Sequence, residues 1–357
     1  MGGGLDPGGV DALNLFGVGE NAGDLVREER QFRGVELEPR QARDAFEVFA
    51  GKSVGHLADA ITNELRLASV GIPLRYNMAI RSAAVAGTWY PGTAGALRRD
   101  VDAYLAAAPE GPGGVRAILA PHAGLSFSGP VGAYAYKAAA SGEFDVAMLV
   151  GPSHFVGFEG AAVWPGGAFE CPLGQVDVDA EGVRALLASP VVRALPEAHA
   201  REHSLEMQLP FLKRVFPALP IVPVLLGHQR RATIESLAAA LIAACAGRRA
   251  LLVGSTDLSH YFDAGTATAL DAEVAAHVTA FDAAGLLDRF ESYPEGERGR
   301  YVACGGGAAV AVMLAARALG ATSARVLHYA HSGHISGDDH TVVGYLAAAF
   351  GVFGDAQ

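Results

Sequence analysis

Three stretches set a titratable side chain directly behind an apolar run. "ILAPHAGLSFSG" (118–129) carries His122, "MLVGPSHFVG" (148–157) carries His154, and "LLVGSTDLSHYF" (251–262) carries Asp257 and His260. The repeated order points to one site shared by several strand ends. Two neutral imidazoles side by side are a common grip on a divalent first-row metal, completed by a carboxylate or a thiolate. The best third donor is Cys304 in "RYVACGGGAAVAVMLAARA", a lone cysteine at the glycine-rich start of a long apolar helical pattern. Amides and the helix dipole favour a thiolate there, and the glycines allow close backbone approach. Asp257 is the substitute if that cysteine is only a small buried hydrophobe.

"HAREHSLEMQLPFL" (199–212) puts His203 and Glu206 on one face of a helical turn, with Leu205, Leu209 and Leu212 on the other. A histidine at a helix start is kept neutral by the positive end of the dipole, as a general base must be. The spacing lacks His at i and i+4 with an adjacent Glu, which excludes the zinc-protease motif. "GSTDLSHYFD" has no GxSxG elbow leading into a helix, so it is not read as a serine hydrolase. Asp257 and His260 fit better as groups that touch substrate or orient ligands through hydrogen bonds. No GxxxxGK[ST] occurs, which excludes a phosphate loop at "CGGG" or "GPSHFVG". "HYAHSGHISGDDH" gathers His328, His331, His334 and His340 with Asp338 and Asp339. Its interleaved Gly and Ser read as a polar loop before the last strand rather than a second metal site.

The elements that must position these groups begin near Arg81. Short β-rich runs ("VRAILAPH", "FDVAMLVGPSH", "IVPVLLG", "RALLVGSTDLSH", "TVVGYLAAAF") alternate with helical patterns such as "AGALRRDVDAYLAAA" and "TIESLAAALIAACAG". Such alternation predicts an α/β domain over 81–357, a single, mainly parallel or mixed central sheet flanked by helices. Ligands in such sheets bind beyond the carboxyl ends of the strands, where His122, His154, Asp257 and His260 fall. Residues 1–80 read as an N-terminal extension: a Gly- and charge-rich loop or disordered start, then one or two amphipathic helices.

Composition excludes several classes. A net charge of -11 without a basic run leaves nothing to neutralise a row of phosphates, so no nucleic-acid partner is expected. No apolar stretch is long enough to span a bilayer; "AAVAVMLAARALG" is too short and carries Arg317, and reads as a buried helix. The three cysteines are far apart, and no basic region precedes an apolar one at the start, which predicts a reducing, cytoplasmic location. Cys171 and Cys245 read as small buried hydrophobes.

Taken in order, "AVAGTWYPG", "APHAGLSFSG", "GPSHFVGFEG", "EHSLEMQLPFL", "GSTDLSH" and "CGGG" closely resemble the Memo family, whose bacterial and archaeal members are called AmmeMemoRadiSam system protein B. The resemblance runs from about Arg81 to about Phe350. It implies a fold like that of the class III extradiol ring-cleaving dioxygenases, with a metal pocket at one end of the sheet. It implies metal ligands at His122, His154 and Cys304, and an acid or base at His203. Cys304 stands where the dioxygenases have a carboxylate, so ring cleavage does not carry over with the fold. The expected cofactor is a divalent first-row metal, Fe(II) first, with zinc or copper also suited to the donors. Two functions follow from the resemblance. One is a non-heme, metal-dependent redox enzyme. The other is a non-catalytic metal- or peptide-binding protein acting with AMMECR1-type and radical SAM proteins. A cleft lined by Trp89, Tyr90, Phe127 and Phe155 would suit a small aromatic substrate or a peptide.

Overall fold

A computed structural model describes residues 79–354. The extension expected over 1–80 falls, up to residue 78, outside the described residues. Along the chain, β1 (Ile80–Arg81) is followed by β2 (Val115–Ala120) and β3 (Val146–Pro152). Four short strands come next: β4 (Ala161–Val163), β5 (Ala168–Cys171), β6 (Gly174–Asp177) and β7 (Val192–Ala194). β8 (Ile221–Leu226), β9 (Ala250–Ser255) and β10 (His260–Phe262) precede a final antiparallel pair, β11 (Ser323–His331) and β12 (Val342–Gly351).

The centre of the main sheet is parallel, in the spatial order β2-β9-β3-β8. Its strands are continuous apolar runs because both faces are covered, and every residue of β3 and β8 is buried. The flanks make the sheet mixed. β12 runs antiparallel to β2, β10 and β11, and β4 runs antiparallel to β8 while pairing parallel with β7. β1, β5 and β6 form a separate small sheet.

Helices Leu125–Ala139 and Arg231–Ala244 follow β2 and β8, and each returns the chain to start a parallel strand two places along the sheet, β3 and β9. The Ala-rich helix Gly306–Ala318 is buried over most of its length against the sheet and against Arg231–Ala244. Among the described residues no helix is long and apolar enough to cross a membrane. Because the crossovers make the central strands point the same way, their carboxyl ends gather on one edge.

Candidate metal centre

His122 is the second residue beyond β2, His154 the second beyond β3, and Asp257 the second beyond β9. These strands are neighbours, with Ala120 opposite Ser255 and Val150 opposite Gly254. The expected convergence is therefore present. The His122 and His154 rings meet edge-on with centroids 5.3 Å apart, and His122 Nε2 lies 3.1 Å from Cys304 Sγ. One donor atom from each of His122, His154 and Cys304 lies within 4.8 Å of the others.

Hydrogen bonds fix which nitrogen each ring offers. The Ser255 hydroxyl donates to the Ser204 carbonyl at 2.7 Å, so toward the His122 Nδ1, at 2.9 Å, it can only accept. Gln208 Nε2 donates to the same Ser255 oxygen and to the Pro121 carbonyl, while Tyr136 donates to Gln208 Oε1, which settles the amide orientation. His122 thus donates from Nδ1 and turns Nε2 toward the Cys304 sulfur. His154 donates Nδ1–H to Glu202 Oε1 at 2.9 Å, which turns its Nε2 toward the same sulfur. A carboxylate behind a metal-binding imidazole orients the ring and raises its basicity.

Glu202 was not among the sequence candidates. It is 2% exposed and accepts the backbone amides of His154, His203 and Ser204 besides the His154 ring. Its only sequence signal is its place next to His203 in "EHSLEMQ", which says nothing about a partner 48 residues away.

Cys304 reaches the histidines because its loop presses onto the end of β9. A Cβ on Gly305 would collide with the Ser255 carbonyl and the Thr256 side chain, so the close approach requires glycine there. Gly305 N–H donates to Thr256 Oγ1, Gln229 ties the Cys304 carbonyl to the Gly307 amide, and the Asp257 amide points at Sγ from 3.4 Å. Burial opposes ionisation of the thiol, but the adjacent His122 ring and hydrogen bonds from His122 and His154 outweigh it and bring it down to about 6. His154, although burial disfavours its charge, is raised to about 10 by Cys304 and Glu202. Burial would raise Glu202, yet the His154 ring and the amides of His154 and Ser204 hold it at about 2. Cys171 and Cys245 are buried, as expected, and burial lifts them to about 11 and about 12.

His203 stands beside the three donors. Its ring stacks on His154 at 4.6 Å and meets Trp89 at 4.2 Å, with Phe155 edge-on at 5.9 Å. Burial first, then the neighbouring His122, lowers it to about 3, so it is neutral at pH 7. The reason differs from the one expected. His203 lies in the loop ahead of a short 3-10 turn (Glu206–Gln208) and the helix Leu209–Val215, not at a helix start. Its i+3 companion Glu206 faces away from the donors; it is fully buried and accepts from Arg81, the amides of Ala84 and Val85, and the Tyr90 hydroxyl.

Tyr90 is thereby removed from the expected aromatic cleft, because it is 3% exposed and committed to Glu206. Trp89, Phe127 and Phe155 remain as an exposed rim at 38%, 37% and 51%. The Trp89 carbonyl accepts from the Leu125 amide, which fixes the Trp89 loop beside the first turn of the helix that carries Phe127.

Asp257 Oδ1 accepts the amides of His122 and Ala123, so this carboxylate shapes the turn that aims His122. One ring nitrogen of His260 lies within 4.8 Å of donor atoms on Asp257 and Cys304. The late histidines are scattered: His328 stacks on Tyr134, while His331 and His334 stack on each other at 3.8 Å.

The family model described as Memo-like protein matches residues 81–349. A MEMO1 family protein of Methanopyrus kandleri is 36% identical over 284 residues, covering 76% of this chain and 98% of that protein. MEMO1 family proteins of Nitrosopumilus maritimus and Thermotoga maritima are 32% and 35% identical, over 76% and 75% of this chain and 99% and 98% of theirs.

Proposed function

This chain belongs to the Memo family, and from that premise we propose that it is a metal-dependent redox enzyme. The observation that carries the reading is the convergence of two imidazoles, each with its Nδ1 engaged and its Nε2 turned inward, on a sulfur poised as a thiolate. His122, His154 and Cys304 would hold a divalent first-row metal, Fe(II) first, since an N/N/S set also suits zinc and copper. Once bound, such a metal supplies Lewis acidity and, if iron or copper, one-electron chemistry at an open position.

The rest falls to the chain itself. His203, neutral and outside the ligand set, takes or returns the substrate proton. Asp257 holds the His122 turn, and Trp89, Phe127 and Phe155 stack against a flat substrate and exclude water. The family's likeness to the extradiol dioxygenases makes small phenolic aromatics the first class to try.

A second reading rests on the exposed aromatic rim: a non-catalytic metal- and peptide-binding protein that acts with AMMECR1-type and radical SAM proteins, the rim docking a peptide tail. Metal analysis after anaerobic purification, then oxygen uptake with a panel of phenols, separates the two. His203→Ala should keep the metal and slow turnover by about 10²–10⁴-fold. Absence of oxygen uptake and substrate loss in the metal-loaded wild-type chain, with His203→Ala changing peptide affinity instead, favours the second.

A further inference from the structure

We propose that a cleft at the amino ends of the central strands binds an organic anion, a carboxylate or phosphate attached to an apolar body, with Arg116 as its anchor. The inference is independent of the metal centre, which lies at the opposite edge of the sheet. β2 begins at Val115 and β9 at Ala250, and beside their starts, where the helix Gly306–Ala318 ends, lies a cavity of about 510 Å³. That size falls within the range of about 300–1,000 Å³ typical of small-molecule sites. Phe144, Leu252, Ala316 and Leu319 give it an apolar wall, and its charged lining is Arg116, Arg248 and Arg249. Among the described residues no carboxylate lines it.

The three guanidinium groups are not equivalent. Arg248 makes a forked pair with Asp179, and Arg249 reaches Asp145 and Glu143, so both are neutralised and hold the loop before β9 in place. Arg116 gives one N–H to the Leu319 carbonyl and meets no carboxylate among the described residues. A guanidinium has five N–H donors, so most of this one remains to be used. The backbone sets it there. Every other residue of β2 is buried. Along β12, Phe350 faces Ala117 and Gly351 faces Val115, so the pairing slips at Arg116 and leaves that residue extra. A bulge of this kind bends its strand and re-aims the side chain it carries.

The charge favours one ligand class. The chain carries a net charge of -11, so the molecule as a whole repels anions, and one gains only where a cation has no acid beside it, as at Arg116. A planar guanidinium with free N–H groups takes carboxylate or phosphate through two parallel hydrogen bonds. The apolar wall beside it removes hydrocarbon from water. A bare inorganic anion would use only the first of these surfaces and a neutral apolar molecule only the second.

Titration of the full chain with anilinonaphthalene sulfonate, an aromatic anion that fluoresces in apolar surroundings, tests this, with benzoate, phenyl phosphate and benzyl alcohol as competitors. The wild type should bind the probe, and Arg116→Gln should weaken it by about 10-fold or more, the cost of losing a charge-assisted pair. Arg116→Lys, which keeps the charge without the fork, should lose less, and an unchanged melting profile shows that either loss is local. Benzoate or phenyl phosphate should displace the probe, the stronger of the two naming the anionic group, and benzyl alcohol should not. Trp89→Ala should bind as the wild type does, since Trp89 stands at the other edge. Equal affinity in the wild type and Arg116→Gln, or displacement by benzyl alcohol as readily as by benzoate, overturns the proposal. Loss in Trp89→Ala with Arg116→Gln unaffected puts the probe on the aromatic rim and overturns it as well.

Discussion

Glu202 Oε1 lies 2.9 Å from His154 Nδ1, and the same oxygen accepts the amides of His203 and Ser204. One buried carboxylate therefore sets the ring that would bind metal and the backbone that carries His203. Glu202→Gln should weaken metal binding by about 10–100-fold, the range for removing a carboxylate behind a ligating histidine. Competition against a chelator measures it; unaltered affinity would show that packing alone orients His154.

The thiol at Cys304 should react selectively. Its ionisation near 6 makes it a thiolate at neutral pH, whereas Cys171 and Cys245, at about 11 and about 12, stay protonated and buried. Iodoacetamide on chain stripped of metal should label Cys304 first, with a rate midpoint near pH 6, and bound metal should protect it. Equal labelling with and without metal removes Cys304 from the ligand set.

Metal affinity should rise with pH in two regimes. His154 is protonated up to about 10 and Cys304 ionised above about 6, so between those values binding must displace one proton, from the imidazole. Below 6 the thiol proton must leave as well. The logarithm of the apparent affinity should climb by about one per pH unit between 6 and 10, and by about two below 6. A flat profile from pH 7 to 9 would mean that His154 is neutral before metal arrives.

Arg81 and Glu206 form a buried ion pair, their side chains 1% and 0% exposed, which pins the chain from β1 to Tyr90 against the loop that carries His203. Arg81→Ala leaves the Glu206 charge buried without its cation and should cost about 3–5 kcal/mol in denaturant unfolding. Trp89 belongs to the same segment, so the variant should also loosen the aromatic rim, read as a change in Trp89 fluorescence. A loss below about 1 kcal/mol would place the pair among weak surface bridges.

Much of this protein was legible in its residues. Apolar runs ending in His122, His154 and Asp257 locate three donors at strand ends, and helical patterns between them force the strands parallel, which puts those ends on one edge whatever the strand order. Cys304 announced itself by the glycines behind it. The free sulfur's distance from His122 is another matter: those residues are 182 positions apart, and their 3.1 Å separation depends on β9 lying between β2 and β3 and on the glycine loop pressing onto its end. The same holds for Glu202 and Glu206. In "REHSLEMQ" the two acids look alike, yet one backs a candidate ligand and the other anchors Arg81 and Tyr90. Local spacing fixes which face of a turn a side chain occupies. Only the packing of distant segments decides what waits on that face, because burial makes each carboxylate take whichever donors the tertiary fold delivers.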